Sequence, residues 1–247
     1  MLRQKVELTL NTLLTALRQV GGGDPHPVFA GGLRYVPPSS TSGVNRAAFE
    51  ELSGFGFTRG GGFVSDFEDV LHVLDRPQTE YFAYVRAQRE QFGVLVAVRG
   101  RTAVTAFCQG ERVWLREAGE DQPGALVAHL PEYRPARFKP FSLSQEEFNR
   151  QEVDDLYESS PARSREAREL DEVFQQPYYG LGELHTARRT GGTRTETQDT
   201  LTYLDIDVGR VSIAMTGRPG NKYISVSPGE PGSLAQRLSS LRAGLDD

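Results

Sequence analysis

Between Thr79 and Ala118 the chain has room for little besides β-structure. Four runs rich in β-branched and aromatic residues follow one another: TEYFAYVRAQ, QFGVLVAVRG, TAVTAFCQG and ERVWLREA. The separators RG and QGE are the size of hairpin turns, and a further reversal falls near Arg89. Strands joined by such short connections pair antiparallel, because a parallel crossover needs a dozen or more residues. The segment is therefore expected to be an antiparallel meander, and the rest of the chain must pack on it. A second set of strand-like runs follows later: GLGELHTARR, TETQDTLTYLDID, GRVSIAMTG and NKYISVSPG.

Helical periodicity fills the gaps between these sets. KVELTL reads as a short strand, and Asn11 as the cap of a helix carrying Leu13, Leu14, Leu17 and Val20, stopped by Gly21 to Gly23. The Pro- and Gly-rich stretch from Asp24 to Thr41 is expected to be loop, with an extended piece at LRYV. A helix is expected over Val44 to Leu52, with Val44, Ala48, Phe49 and Leu52 on one face. Ser65 and Glu68 have capping-box spacing for a helix that Pro77 ends. PGALVAHL reads as a short helix, and PEYRPARFKPFSLS as an extended linker. Ser144 and Glu147 repeat the capping-box spacing. A helix to about Tyr157 (Phe148, Val153, Leu156, Tyr157) and a charged one around ARSREARELDEVFQQ, with Pro161 in its first turn, then form a helical hairpin over 144–176. A final helix has Leu234, Leu238, Leu241 and Leu245 on one face.

The two halves share an order of elements. Tyr81 to Leu130 and Leu181 to Leu241 each read hairpin, hairpin, Pro-Gly, helix, with little identity of residues. The expected fold class is α+β: an antiparallel sheet core with flanking helical bundles and a quasi-twofold repeat of two halves, 1–131 and 132–247, within a single domain over 1–247.

Composition excludes several function classes. With 38% hydrophobic and 25% charged residues, a packed core over 247 residues is expected. The net charge is −5 and the pI about 5.5. The basic clusters Arg86/Arg89 and Arg188/Arg189/Arg194 lack the interleaved aromatics of a base-stacking platform, so no nucleic-acid partner is expected. The one cysteine, Cys108, lies in the apolar run AVTAFC and reads as a small core hydrophobe. Glu7, Thr9, Asn11 and Thr12 interrupt any signal-peptide-like apolar segment, and no window of 18 apolar residues spans a membrane. A cytoplasmic location is the expectation.

The segment YLDIDVGR carries the sharpest chemical question. Asp205 and Asp207 alternate with Leu204, Ile206 and Val208, the pattern of a half-buried strand with its acids in water. Gly209-Arg210 reads as the hairpin turn. A divalent cation would need further converging ligands; Glu183 and His185 on the preceding run are the candidates, and with them a metal-dependent hydrolase is the alternative reading. A generic ligand-binding α+β module is the other. His26, His72, His129 and His185 form no metal motif, the GGG stretches lack the lysine and hydroxyl of a P-loop, and no serine sits in a nucleophile elbow. No catalytic residue, metal or cofactor is expected. The arginine-rich hairpin ARRTGGTRTETQ and the helical hairpin are better suited to a surface.

The order YYGLGELHTARR, TLTYLDIDVGRVSIAM, YISVSPGEPGSLAQRLSSL resembles the C-terminal portion of the EspG family. KVELTLNTLLTALRQV, FEDVLHVLDRPQTEYFAYVR and QFGVLVAVRGRTAVTAFCQGERVWLREA resemble its opening strand and helix, its helix with an L..P break, and its meander. The resemblance runs over nearly the whole chain. It implies a cytoplasmic, non-enzymatic chaperone of the ESX, or type VII, secretion systems of actinobacteria. Such a protein binds a PE–PPE heterodimer at the apolar tip of the PPE bundle in a 1:1:1 complex, and is itself a monomer or weak homodimer. The family grips its partner with the face of its central sheet and its C-terminal helical bundle. Carried over, this implicates the strands near Arg112 to Arg116 and Thr202 to Asp207 and the helices between Ser144 and Gln176. Within and beside these elements the expected contacts are Arg112, Trp114, Phe174, Tyr178, Arg188, Tyr203, Asp205 and Asp207, with the aspartates as a specificity rim. The connection RAQREQ is shorter here than the family's partner-contacting loop.

Overall fold

The computed structural model describes residues 2, 4–21, 24–32, 38–88, 90–149, 164–218 and 220–246. The N-terminal part runs β1 (Val6–Thr9), α1 (Leu10–Val20), a 3-10 turn (Pro27–Gly32), α2 (Pro38–Gly54), a small ribbon of β2 (Thr58–Arg59) and β3 (Gly62–Phe63), and α3 (Ser65–Asp75). The meander follows as β4 (Thr79–Ala87), β5 (Glu90–Arg99), β6 (Thr102–Gln109) and β7 (Arg112–Glu117), and α4 (Gln122–Val127) closes the half. The second part comprises β8 (Phe141–Ser144), α5 (Gln145–Asn149), α6 (Arg165–Gln175), β9 (Tyr178–Thr190), β10 (Thr193–Glu196), β11 (Thr200–Ile206), β12 (Gly209–Arg218), β13 (Asn221–Pro228) and α7 (Pro231–Ala243).

One antiparallel sheet organises all of this. Its strand order is β1-β7-β6-β5-β4-β9-β11-β12-β13-β8, with β10 added to the far end of β9. The two meanders meet at the β4–β9 pair, where Phe82 lies opposite His185 and Tyr84 opposite Glu183. Outward from that seam each half runs through its meander and ends on the strand that opened it, β1 or β8. Order of elements is what the sheet shows of the expected repeat.

Both faces of the sheet are packed, which is why its central strands are nearly continuous apolar runs. On the front face Phe82, Leu95, Ala106 and Leu115 lie in register beneath α1 and α3; further along, Leu204, Val211 and Val226 lie beneath Leu170 of α6. On the back face Ala83, Val94, Leu184, Leu201 and Ala214 lie beneath Leu126 of α4 and Leu234 and Leu238 of α7. Burying a leucine of this kind contributes about 1.5–3 kcal/mol. Cys108 is buried in the front core, and burial pushes its thiol up to about 11.

Local chemistry sets several boundaries away from the sequence-based expectation. Thr9, not Asn11, caps α1: its hydroxyl accepts from the Thr12 N–H at 3.2 Å, and Glu51 of α2 accepts from both the backbone and the hydroxyl of Thr9. Ser65 lies inside α3, whose cap residue Val64 supplies no side-chain bond. α2 is longer than expected, and TETQDTLTYLDID splits into β10 and β11. The stretch read as a linker ends in a strand, β8, that extends the sheet beyond β13. Ser144 does cap α5, accepting from the Glu147 N–H at 3.1 Å, and Ser164 caps α6. The expected LRYV segment, the remainder of the first hairpin helix through Val153, Leu156 and Tyr157, and Pro161 lie outside the described residues.

Candidate partner-binding groove and the placement of the predicted residues

The YLDIDVGR segment is not the wet edge that its alternation suggests. Asp205 is 2% exposed and Tyr203 fully buried, whereas Val208 is 52% exposed. The turn is the pair Asp207-Val208, since Ile206 lies opposite Gly209, and Arg210 belongs to β12 directly across from Asp205. Arg210 donates from Nε to Asp205 Oδ1 at 2.6 Å and from Nη2 to Oδ2 at 2.8 Å, a bidentate buried pair. Its Nη2 also donates to the carbonyl of Pro131 at 2.8 Å, and its guanidinium lies 4.1 Å from the Tyr203 ring centroid. The alternation misleads here because the back face at this end is roofed by the 131–136 segment, whose Ala136 N–H donates to the Arg210 carbonyl.

The neighbouring strand makes space for this lock. Gly182 and Gly180 of β9 lie opposite Tyr203 and Asp205. A Cβ at position 182 would come within 2.0 Å of the Tyr203 ring, and one at 180 within 2.7 Å of the Asp205 carboxylate. The GLG of YYGLGELH is thus a packing requirement of the strand beside it. Asp207 remains exposed in the turn and accepts from the Tyr179 hydroxyl at 2.7 Å.

The metal-dependent reading loses its geometry on the same facts. Asp205 faces back and lies opposite Gly180, whereas Glu183 faces front and lies opposite Tyr84 and Thr202. Among the described residues, no three His, Cys, Asp or Glu side chains are placed to hold a metal ion.

The other expected contacts are dispersed. Arg112 and Trp114 sit on β7 with their side chains on the back face, Trp114 between Glu7 and Phe107 and Arg112 between Thr9 and Gln109. Trp114 donates from Nε1 to Glu7 at 3.0 Å, and Arg112 pairs with the same carboxylate at 3.5 Å. Arg188 is tied to the C-terminal end of α7 through Asp246 and the Leu245 carbonyl. Phe174 on α6 and Tyr178 at the start of β9 are 51% and 56% exposed. Of the eight, Tyr203 and Asp205 are too buried to touch a partner.

What the described residues leave open on the sheet lies on its front face, at the central seam. Between the cover of α1, α3 and the 3-10 turn on one side and α6 on the other, a groove of about 620 Å³ runs over β4, β5 and β9. Tyr84, Arg86, Leu181 and Glu183 form its floor, and Pro27 and Val28 part of its wall. Val28 can approach closely because residue 93 is a glycine, whose Cβ would meet Val28 at 2.8 Å. The floor thus mixes the apolar surface of Tyr84 and Leu181 with the opposite charges of Arg86 and Glu183.

One end of the groove is built from a fixed polar network. Phe82 stacks on His185, with ring centroids 5.0 Å apart. Burial holds the His185 imidazole below its ordinary range, against the pull of Glu196 and Glu183. Its Nδ1 lies 3.2 Å from the Glu196 carboxylate. Glu80, 1% exposed, receives Arg194 at 2.8 Å and lies 3.3 Å from His26 Nε2. Burial alone would raise the Glu80 carboxyl, but the bond and charge of His26, with the charge of Arg194, hold it below the usual range. This network pins the β9–β10 hairpin and the segment preceding the 3-10 turn to β4.

The groove residues carry little sequence signal. TEYFAYVRA and GLGELHTARR place apolar and polar groups on both faces, so neither strand shows which stretch lacks a roof. The best available cue is the aromatic and charged pair Tyr84 and Arg86 at the open end of a central strand.

No curated protein matches the chain. Among solved structures, it is similar to the Mycobacterium tuberculosis type VII secretion system chaperone EspG5, determined in complex with a PE25–PPE41 dimer. The TM-score is 0.69 at 12% identity, over 96% of this chain and 95% of that one. At that identity the likeness establishes the fold, which is the α+β sheet architecture expected from the sequence. The model of the EspG family matches residues 9–240, nearly the entire sheet and its helices, and the chain belongs to the EspG family.

Proposed function

We propose that this chain is a non-enzymatic chaperone that holds a PE–PPE heterodimer in a 1:1:1 complex for type VII secretion, acting in the cytoplasm. The partner's apolar tip seats in the front-face groove, and Phe174 and Tyr178 extend the contact along the α6 side. The observation that carries this reading is the stretch of central sheet, floored by Tyr84, Arg86, Leu181 and Glu183, that no described residue roofs, in a fold whose solved relative was captured with a PE–PPE dimer. Covering an apolar tip removes surface prone to aggregation, and the charges of Arg86 and Glu183 on the groove floor select among tips. No helix among the described residues is long and apolar enough to cross a membrane, which is compatible with this role.

The test is co-expression with a panel of PE–PPE heterodimers that includes PE25–PPE41, followed by size-exclusion chromatography with light scattering. The expected result is a stable 1:1:1 species with at least one pair, lost when Leu181→Asp and Glu183→Lys are combined. Failure of every pair to form a complex counts against the chaperone reading.

A further inference from the structure

The back face carries a second concavity that the groove does not use. Near the β1 edge, Phe107, Trp114, Leu115 and Gln109 line a pocket of about 350 Å³, and Lys5, Arg116 and His129 surround it. That volume is at the small end of ligand sites and admits one or two side chains. Its apolar wall is aromatic: Phe107 lies 5.5 Å from Trp114 and 5.9 Å from His129, centroid to centroid. Lys5 Nζ stands 5.4 Å from the centroid of the Trp114 ring.

The charge around this pocket is uncompensated. Among the described residues, neither Lys5 nor Arg116 has a carboxylate within ion-pair distance, and Glu7, opposite Trp114, is already engaged by Arg112 and Trp114 Nε1. A third group registers the same positive field: burial, Arg116 and Lys5 together hold the His129 imidazole below its ordinary range. In a chain of net charge −5, converging cations without acids form a local exception. They complement an anion, and the aromatic wall beside them complements an apolar group next to that anion.

We infer that this pocket docks an acidic peptide segment of a partner protein, taking a carboxylate between Lys5 and Arg116 and an adjacent apolar side chain against Phe107 and Trp114. The site opens beside β1, the terminal strand of the sheet, where an extended peptide has a strand edge to lie along. Because Trp114 and Tyr84 are on opposite faces, this site and the front groove can be occupied together. The inference does not depend on what fills the groove.

The chain has a single tryptophan, so the fluorescence and the indole N–H resonance of Trp114 report on this pocket alone. The experiment titrates the full chain with the peptide acetyl-Gly-Asp-Phe-Asp-Gly-amide. The expected result is a saturable Trp114 shift, weakened at least about tenfold when both Asp are replaced by Asn or when Lys5→Glu and Arg116→Glu are combined. Occupancy should also raise the His129 pKa, since the carboxylate offsets the two cations. The pair Arg59→Glu and Arg101→Glu, which makes the same change in net charge elsewhere, should bind normally. Equal binding of the Asn peptide, no saturable shift, phenylacetate binding as tightly as the peptide, or binding of a ten-nucleotide oligo-dT in place of the peptide would each overturn the inference.

Discussion

β9 and β11 are neighbours in the sheet and carry one acidic residue each, yet the two acids have opposite fates. Glu183 of β9 is more than half exposed on the groove floor. Asp205 of β11 is sealed beneath the 131–136 segment and clamped by Arg210. The difference does not come from either strand. It comes from what roofs each face: among the described residues the front is open at the central seam, and the back is closed by α4, α7 and a returning segment. Alternation reports that a strand has two faces, and distant parts of the chain decide which face meets water.

The sharpest way to break that contrast is to remove each acid in turn. Asp205→Ala leaves the Arg210 charge buried and unpaired and should cost about 3–5 kcal/mol in chemical denaturation. Glu183→Ala should stay within about 0.5 kcal/mol of the unaltered chain. Gly182→Ala tests the same lock from the strand beside it. The new methyl meets the Tyr203 ring, and a loss of about 1–3 kcal/mol is expected. Glu183→Lys should reverse the pattern, with little change in melting temperature but about tenfold weaker binding of a PE–PPE dimer by calorimetry, equivalent to about 1.4 kcal/mol.

A smaller effect separates the network at the groove end from the ion pair. Glu80, His185 and His129 all have pKa values lowered by folding, so the unfolded chain binds more protons and stability falls on acidification. The histidine contribution is complete above the unfolded value of about 6.5 and is lost as pH drops below it; the Glu80 contribution follows below about 4.3. Melting temperatures measured from pH 7.5 to 4 should show a shallow decline beginning near the histidine value. His185→Gln should remove part of that upper limb, and an unchanged limb would show that His185 is not buried as described.

Much of the architecture is legible in the sequence, because meanders are local. The four runs from Thr79 to Glu117 are bounded by two-residue turns, and their hydrogen-bonded partners are the runs next to them. The seam between β4 and β9 is not local: nothing in either run specifies the other as its neighbour. The candidate site inherits that difficulty. Tyr203 and Asp205 look like surface because the covering segment lies some seventy positions earlier, with Tyr133 donating to the Ile206 carbonyl and Arg134 to that of Asp207. Trp114, expected as a partner contact, is partly buried and lies on the face away from the groove. Tyr84, Arg86, Leu181 and Glu183 become a site only when two halves of the chain pair.

The most direct test of the central claim compares the two faces in one titration. A PE–PPE dimer that binds the unaltered chain is titrated by calorimetry into a front-face variant, Leu181→Asp with Glu183→Lys, and a back-face variant, Lys5→Glu with Arg116→Glu. The front-face variant should lose binding while keeping its melting temperature, and the back-face variant should bind as the unaltered chain does. Retained binding by the front-face variant, with loss in the back-face one, would contradict the assignment of the groove.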